Sequence, residues 1–135
     1  MKNLLRLEEL AQFLLCLSVL IFGEVNWWVY LLFVVGPDIG MLGYLISPRI
    51  GALTYNLLHH KSIALIILIL SFEFGYIGND GDPKANLWLF ITAIILYGHA
   101  SMDRIFGYGL KFGDNFHHTH LGWIGKQINK QEQVQ

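Results

Sequence analysis

His99 and Asp103 stand four residues apart in "YGHASMDRIF", where the last long apolar run of the chain ends. On a helix that spacing puts both side chains on one face, one turn apart, and an imidazole beside a carboxylate is half of a metal site. The other half must come from elsewhere. In "GALTYNLLHH" the pairs Tyr55/His59 and Asn56/His60 repeat the four-residue spacing. A single helical face looks inward, so one of the two histidines is the candidate ligand. Asp38, in "VVGPDIGMLGYLI", lies halfway along an otherwise apolar segment. A lone carboxylate at membrane depth costs about 3 kcal/mol or more unless it is partnered.

These residues define a candidate metal set of Asp38, His59, His99 and Asp103, with His120 in the tail as a further ligand. Glu8, at the start of the first apolar segment, is a candidate general base or fifth ligand; Asp38 and Arg104 are the other catalytic candidates. With Glu8, Asp38 and Asp103 ionised and Arg104 protonated, the set carries two net negative charges, which calls for a compensating cation in low dielectric. Imidazole and carboxylate without thiolate favour a divalent Zn, Mn or Fe ion. Arg104 and Lys111 suit a substrate phosphate or carboxylate, while Tyr44 and Asn56 suit substrate contact or orientation of the ligands.

Other chemistries use the same residues. A proton relay or a solute-binding site also places carboxylates beside helix breaks in membranes, and an interhelical hydrogen-bond network needs no ligand at all. Two histidines on neighbouring helices can ligate haem, although their position near the helix ends argues against it. His117 and His118 fall in a glycine-rich stretch and read as solvated, and Arg104 and Lys111 also suit lipid phosphates.

The elements that must position these groups are apolar. The chain has 135 residues, 54% of them hydrophobic, which is too oily for an ordinary soluble domain of this size. Four segments approach the ~20 apolar residues of a membrane span: 9–23, 26–47, 62–78 and 86–103. The expected fold is all-α, a single integral membrane domain over 1–135: a four-transmembrane-helix bundle with a second helix kinked at Pro37 and a short cytoplasmic C-terminal segment. "SPRIG" (47–51) and "GNDGDP" (78–83) read as turns, glycines 107, 109 and 113 end the fourth helix, and a polar tail begins near 123. The first segment is followed by Gly23, Glu24 and Asn26 rather than a cleavage site, so it reads as a retained helix. Cys16, the single cysteine, excludes a disulfide within one chain.

Charge placement gives an orientation. With an N-terminus in the cytoplasm and four crossings, Lys2, Arg6, Arg49, Lys61, Arg104, Lys111, Lys126 and Lys130 all fall inside and Lys84 alone falls outside. The expectation is a multi-pass protein of the cell membrane with both termini cytoplasmic. Its partners are membrane lipids, not nucleic acid, and a homo-oligomer is allowed for because four short helices enclose little space.

The stretches "LLRLEE", "GPDIGMLGYL", "GALTYNLLHH", "HASMDRIFGYGLKF" and "THLG" together resemble a small bacterial integral-membrane family, domain of unknown function 4260, over nearly the whole chain. The resemblance implies a four-helix membrane fold and interest in Glu8, Asp38, Tyr44, Tyr55, Asn56, His59, His99, Asp103, Arg104, Lys111 and His120; it implies no reaction. The family pattern has one histidine where this chain has His59 and His60, which favours His59. A fainter similarity, in arrangement only, is to bacterial inner-membrane metal-dependent hydrolases with a "PD" step in a membrane helix, and it implies hydrolysis as the reaction class.

Overall fold

The computed structural model describes residues 1–77 and 83–124. The "GNDGDP" turn up to residue 82 and the polar tail from 125, with Lys126 and Lys130, lie outside the described residues. The chain forms α1 (Lys2–Phe22), α2 (Trp27–Val35), a 3₁₀ segment (Gly36–Leu45), α3 (Pro48–His59), α4 (Lys61–Ile77), α5 (Pro83–Phe106) and a two-stranded hairpin, β1 (His118–Thr119) and β2 (Gly122–Trp123).

The second apolar segment, expected as one kinked helix over 26–47, is instead an α-helix that changes into ten residues of 3₁₀ helix. Such runs rarely exceed about four residues, so this one needs a cause. Pro37 starts it by withholding the N–H that an α-helix would offer to the Phe33 carbonyl. The sequence "PDIGMLGYL" then sustains it, because its triplets match three residues per turn. Pro37, Gly40 and Gly43 form a buried edge, Asp38, Met41 and Tyr44 a half-buried edge, and Ile39, Leu42 and Leu45 an exposed apolar edge.

The buried edge is small because α3 lies against it. A Cβ at Gly40 would come within 2.8 Å of the Thr54 carbonyl oxygen, and one at Gly43 within 2.3 Å of Thr54 Oγ1. In exchange, the Thr54 hydroxyl donates to the Gly40 carbonyl at 2.6 Å. Tyr44 lies flat on Gly51 of α3, so that a Cβ there would meet its ring at 2.2 Å.

"SPRIG", read from the sequence as a turn before a helix starting at 62, is the N-terminus of α3. Ser47 caps it by accepting from the Ile50 amide at 3.2 Å, and Pro48 occupies a first-turn position where no amide is needed. His60, extended at ψ 110°, separates α3 from α4, and the two helices bend by 45°.

The described residues thus form five α-helices where four membrane-spanning ones were expected. Among the described residues, two stretches are long and apolar enough to cross a membrane, Trp27–Leu45 and Asn86–Phe106, and a third if the bent pair Pro48–His59 and Lys61–Glu73 counts as one span. α1 has the length, but Arg6, Glu8 and Glu9 fall within every 18-residue window of it. α5 is the central element and packs against α1, α2, α3, α4 and the 3₁₀ segment. Cys16, Leu20, Val29, Phe33, Ile91 and Ile95 form the apolar core between α1, α2 and α5.

Gly98 lets that core close around Phe33: a Cβ at 98 would sit 2.2 Å from the Phe33 ring and 2.8 Å from Cys16 Cβ. Gly98→Ala is therefore expected to cost about 1–3 kcal/mol through overpacking, read as a lower thermal midpoint in detergent. An unchanged midpoint would mean that Phe33 moves aside freely.

Candidate metal centre

α5 presents two polar faces near its C-terminal end, and one of them carries His99 and Asp103. The 3₁₀ segment brings Asp38 to this face and the last turn of α3 brings His59. One potential ligand atom from each of Asp38, His59, His99 and Asp103 lies within 4.8 Å of the other three. Asp38 Oδ1 is 3.5 Å from His59 Nε2 and 3.4 Å from His99 Nε2. Asp103 straddles the same two rings, Oδ2 at 3.4 Å from His59 Nε2 and Oδ1 at 3.8 Å from His99 Nε2. Four ligands at 2.0–2.1 Å around a tetrahedral ion would lie about 3.3 Å apart, so the set fits a divalent metal with little adjustment.

The tautomers also fit. His59 Nδ1 donates to the Tyr55 carbonyl at 2.9 Å and His99 Nδ1 to the Phe33 carbonyl at 3.1 Å. A carbonyl only accepts, so each Nδ1 carries a proton, and in the neutral ring each Nε2 then presents its lone pair. Both Nε2 atoms are buried without a hydrogen-bond partner among the described residues, in side chains exposed by only 3% and 0%. In that neutral state lone pairs face carboxylate oxygens and repel unless a proton or a metal ion lies between them. The Phe33 carbonyl is free for His99 because the residue four positions on is Pro37.

Tyr55 braces the group. Its ring stacks on His59 with centroids 3.7 Å apart, and its hydroxyl donates to Asp103 Oδ2. Asp103 is 13% exposed but Asp38 is 37% exposed, which leaves the Asp38 side open. A haem between the two histidines does not fit this arrangement, because both carboxylates occupy the space beside the imidazole nitrogens where the macrocycle would lie.

The remaining candidates are sorted by their partners. Asn56 grips the backbone of Lys111, accepting from its amide at 2.7 Å and donating to its carbonyl at 2.8 Å, so its amide is occupied by the fold. Lys111 is buried beside the site, and neither its ammonium nor the buried Tyr44 hydroxyl has a hydrogen-bond partner among the described residues. Burial lowers the pKa of Lys111, against the opposing pull of Asp103 and Asp38. His120 is not in the group: its Nδ1 accepts from the Leu110 amide at 2.8 Å, which fixes the fold-back of the tail, and burial lowers its pKa. His118 pairs with Asp114 at 2.7 Å and stacks on Trp123.

Glu8 is exposed on α1 and accepts from Gln12 at 3.3 Å, outside the metal group. Its neighbour Glu9 is the inward carboxylate, paired with Lys61 and, at 3.5 Å, with Arg104. Lys61 also donates to Gln12, which accepts from the Tyr97 hydroxyl at 3.1 Å. This second polar face of α5, with Tyr97, Ser101 and Arg104, ties the starts of α1 and α4 to the end of α5. Sequence reading missed it because Lys61 and Arg104 also satisfy the positive-inside pattern and Glu8 and Glu9 are adjacent.

Fold and site together define a helical protein that has, among its described residues, two or three membrane-length spans and an Asp–His–His–Asp group with buried histidines, able to hold a metal. The chain belongs to the family described as Domain of unknown function (DUF4260), whose profile matches residues 2–124. No curated protein and no solved structure matches the chain.

Proposed function

We propose that the protein is a metal-dependent membrane enzyme that holds one divalent ion at Asp38, His59, His99 and Asp103 and hydrolyses a lipid-borne or amphiphilic substrate. The observation that carries this reading is the pair of buried Nε2 atoms, without a hydrogen-bond partner among the described residues, each ring held by a carbonyl behind it and each Nε2 facing two carboxylates. A bound metal would activate water and polarise a substrate oxygen. Asp38 Oδ2 has no partner among the described residues and, on the open side, can take the proton of an attacking water. Glu8 has no part in this.

A four-crossing arrangement with both termini cytoplasmic accords with the charges. Glu9 draws Lys61 and Arg104 together, and Arg49 lies 3.5 Å from the Cβ position of Gly113, so basic residues gather at the end of the molecule that bears the site. On this reading α1 crosses as well, its inward acid neutralised by Lys61 and Arg104. Asp38 at a helix break favours a second reading, proton-linked transport or solute binding without catalysis; it predicts pH-dependent flux in proteoliposomes, which the enzyme lacks.

The test is elemental analysis of detergent-purified wild type and His99→Ala, each with a visible spectrum. About one equivalent of Zn, Mn or Fe in the wild type, lost in the variant, is the expected result. Equal metal in both proteins, or none in the wild type after incubation with added ions, would overturn the metal assignment.

A further inference from the structure

The Lys111 ammonium, 4% exposed, has three N–H donors and no hydrogen-bond acceptor among the described residues. It is enclosed by rings: Phe116 at 4.2 Å, Tyr55 at 5.3 Å and Tyr108 at 5.7 Å from the nitrogen to each centroid. Ring faces offset part of the cost of desolvating a cation, but they do not replace an anion. The fold fixes the residue firmly, with Asn56 holding its backbone amide and carbonyl and Thr119 bridging it from the hairpin. It feels the field of Asp38 and Asp103 but makes no ion pair with either: among the described residues, their ion-pair contacts are to His59 and His99.

Charge counting makes the same point. Two ionised carboxylates and one divalent ion sum to zero, so the Lys111 ammonium leaves the site with one positive charge. The Tyr44 hydroxyl, on the same edge of the 3₁₀ segment as Asp38, is a further unused donor. Its ring meets Phe116 edge-on at 5.1 Å, so the residues bearing the two unused donors adjoin one ring.

We propose that the metal centre, Lys111 and Tyr44 form a binding site for a phosphodiester. The inference rests on the metal reading above and names the substrate class. A phosphodiester keeps a single negative charge, which matches the one positive charge left over, whereas a phosphomonoester carries nearly two near neutral pH. Its two non-bridging oxygens diverge tetrahedrally and each accepts more than one bond, so they can meet metal, ammonium and phenol from different directions; a carboxylate has the same charge but holds its two oxygens in one plane at a narrower bite. Phosphodiesters occur in phospholipid headgroups and in soluble molecules. Phe112, Leu121 and Trp123, exposed around the same hairpin, suit a headgroup at the membrane surface.

The experiment uses the full-length protein loaded with Co(II), in a phosphate-free non-ionic detergent. Its visible spectrum is followed during titration with dimethyl phosphate, with acetate, and with phosphatidylglycerol in mixed micelles. Dimethyl phosphate is expected to change the cobalt spectrum at concentrations at least tenfold below acetate. Lys111→Met should keep its cobalt and bind the diester at least tenfold more weakly, with Lys111→Arg restoring part of the affinity. Tyr44→Phe should narrow the margin over acetate. Saturation by phosphatidylglycerol well below dimethyl phosphate identifies a lipid source, and equal affinities a soluble one. Cobalt uptake without a response to either diester, or undiminished binding by Lys111→Met, would overturn the inference and leave the metal reading standing. Failure to take up cobalt would remove both.

Discussion

Asp103→Asn is expected to reach the membrane folded and to bind divalent metal more than a hundredfold more weakly than the wild type. The amide keeps the volume of the carboxylate and still accepts from the Tyr55 hydroxyl, so the packing of α5 against α3 survives. The charge is lost. Both carboxylates face both imidazoles, but Asp103 turns a separate oxygen toward each ring where Asp38 uses one, and it is the better buried of the two. Replacing it leaves Asp38 as the one anion against a divalent ion, and the neutral amide oxygen is a poor ligand in a set chosen for charge. Loss of an outer-shell partner commonly costs 10–100-fold in affinity, so loss of this ligand should exceed about a hundredfold, or roughly 2.7 kcal/mol. Competition with a chromogenic chelator measures it. A variant that held metal within tenfold of the wild type would move the ion away from Asp103.

The four residues of this group were legible in the sequence because imidazole and carboxylate stand out against an apolar background. His99 and Asp103 declared a shared face through their spacing, and Asp38 stood out through its depth in an apolar run. Choosing His59 over His60 needed the family resemblance, and the structure supplies the local reason. His59 ends α3 and remains on its inward face, whereas His60 has left the helix and is exposed.

What was not legible has a physical pattern. A segment that is apolar on all sides has no moment to reveal its inward face, so Glu8 and Glu9 were indistinguishable until α4 placed Lys61 beside one of them. The separate helix α3 was hidden because proline signals both a turn and a first helical turn, and the deciding group was the Ser47 hydroxyl. Asn56 looked like a ligand or substrate contact by type, but both ends of its amide are used on the Lys111 backbone, a partner 55 residues away that no local pattern announces. The triplet order of "PDIGMLGYL" was present in the sequence all along. It is invisible to a search for periods of 2.0 or 3.6 residues.

That triplet order gives Pro37→Ala its expected effect, a 10–100-fold loss of metal affinity from a residue that touches no metal. Alanine restores an amide proton four residues after Phe33, so the Phe33 carbonyl can close a helical hydrogen bond and no longer needs His99 Nδ1. Without that acceptor the imidazole is free to carry its proton on Nε2, the nitrogen that must ligate. A second consequence follows along the chain. If α-helix propagates through 36–45, each residue turns by about 100° instead of about 120°, so Tyr44 drifts by roughly 120° from the edge it shares with Asp38. The tight contacts of Gly40 and Gly43 with Thr54 resist that rewinding, so the local effect on His99 should dominate. Chelator competition reads the affinity, and the nitrogen chemical shifts of the His99 ring read the tautomer. Wild-type affinity with an unaltered Nδ1–H tautomer would show that the missing amide of Pro37 does not orient the ligand; weaker binding with a mixed tautomer would show that the helix break exists to hold His99 ready for a metal.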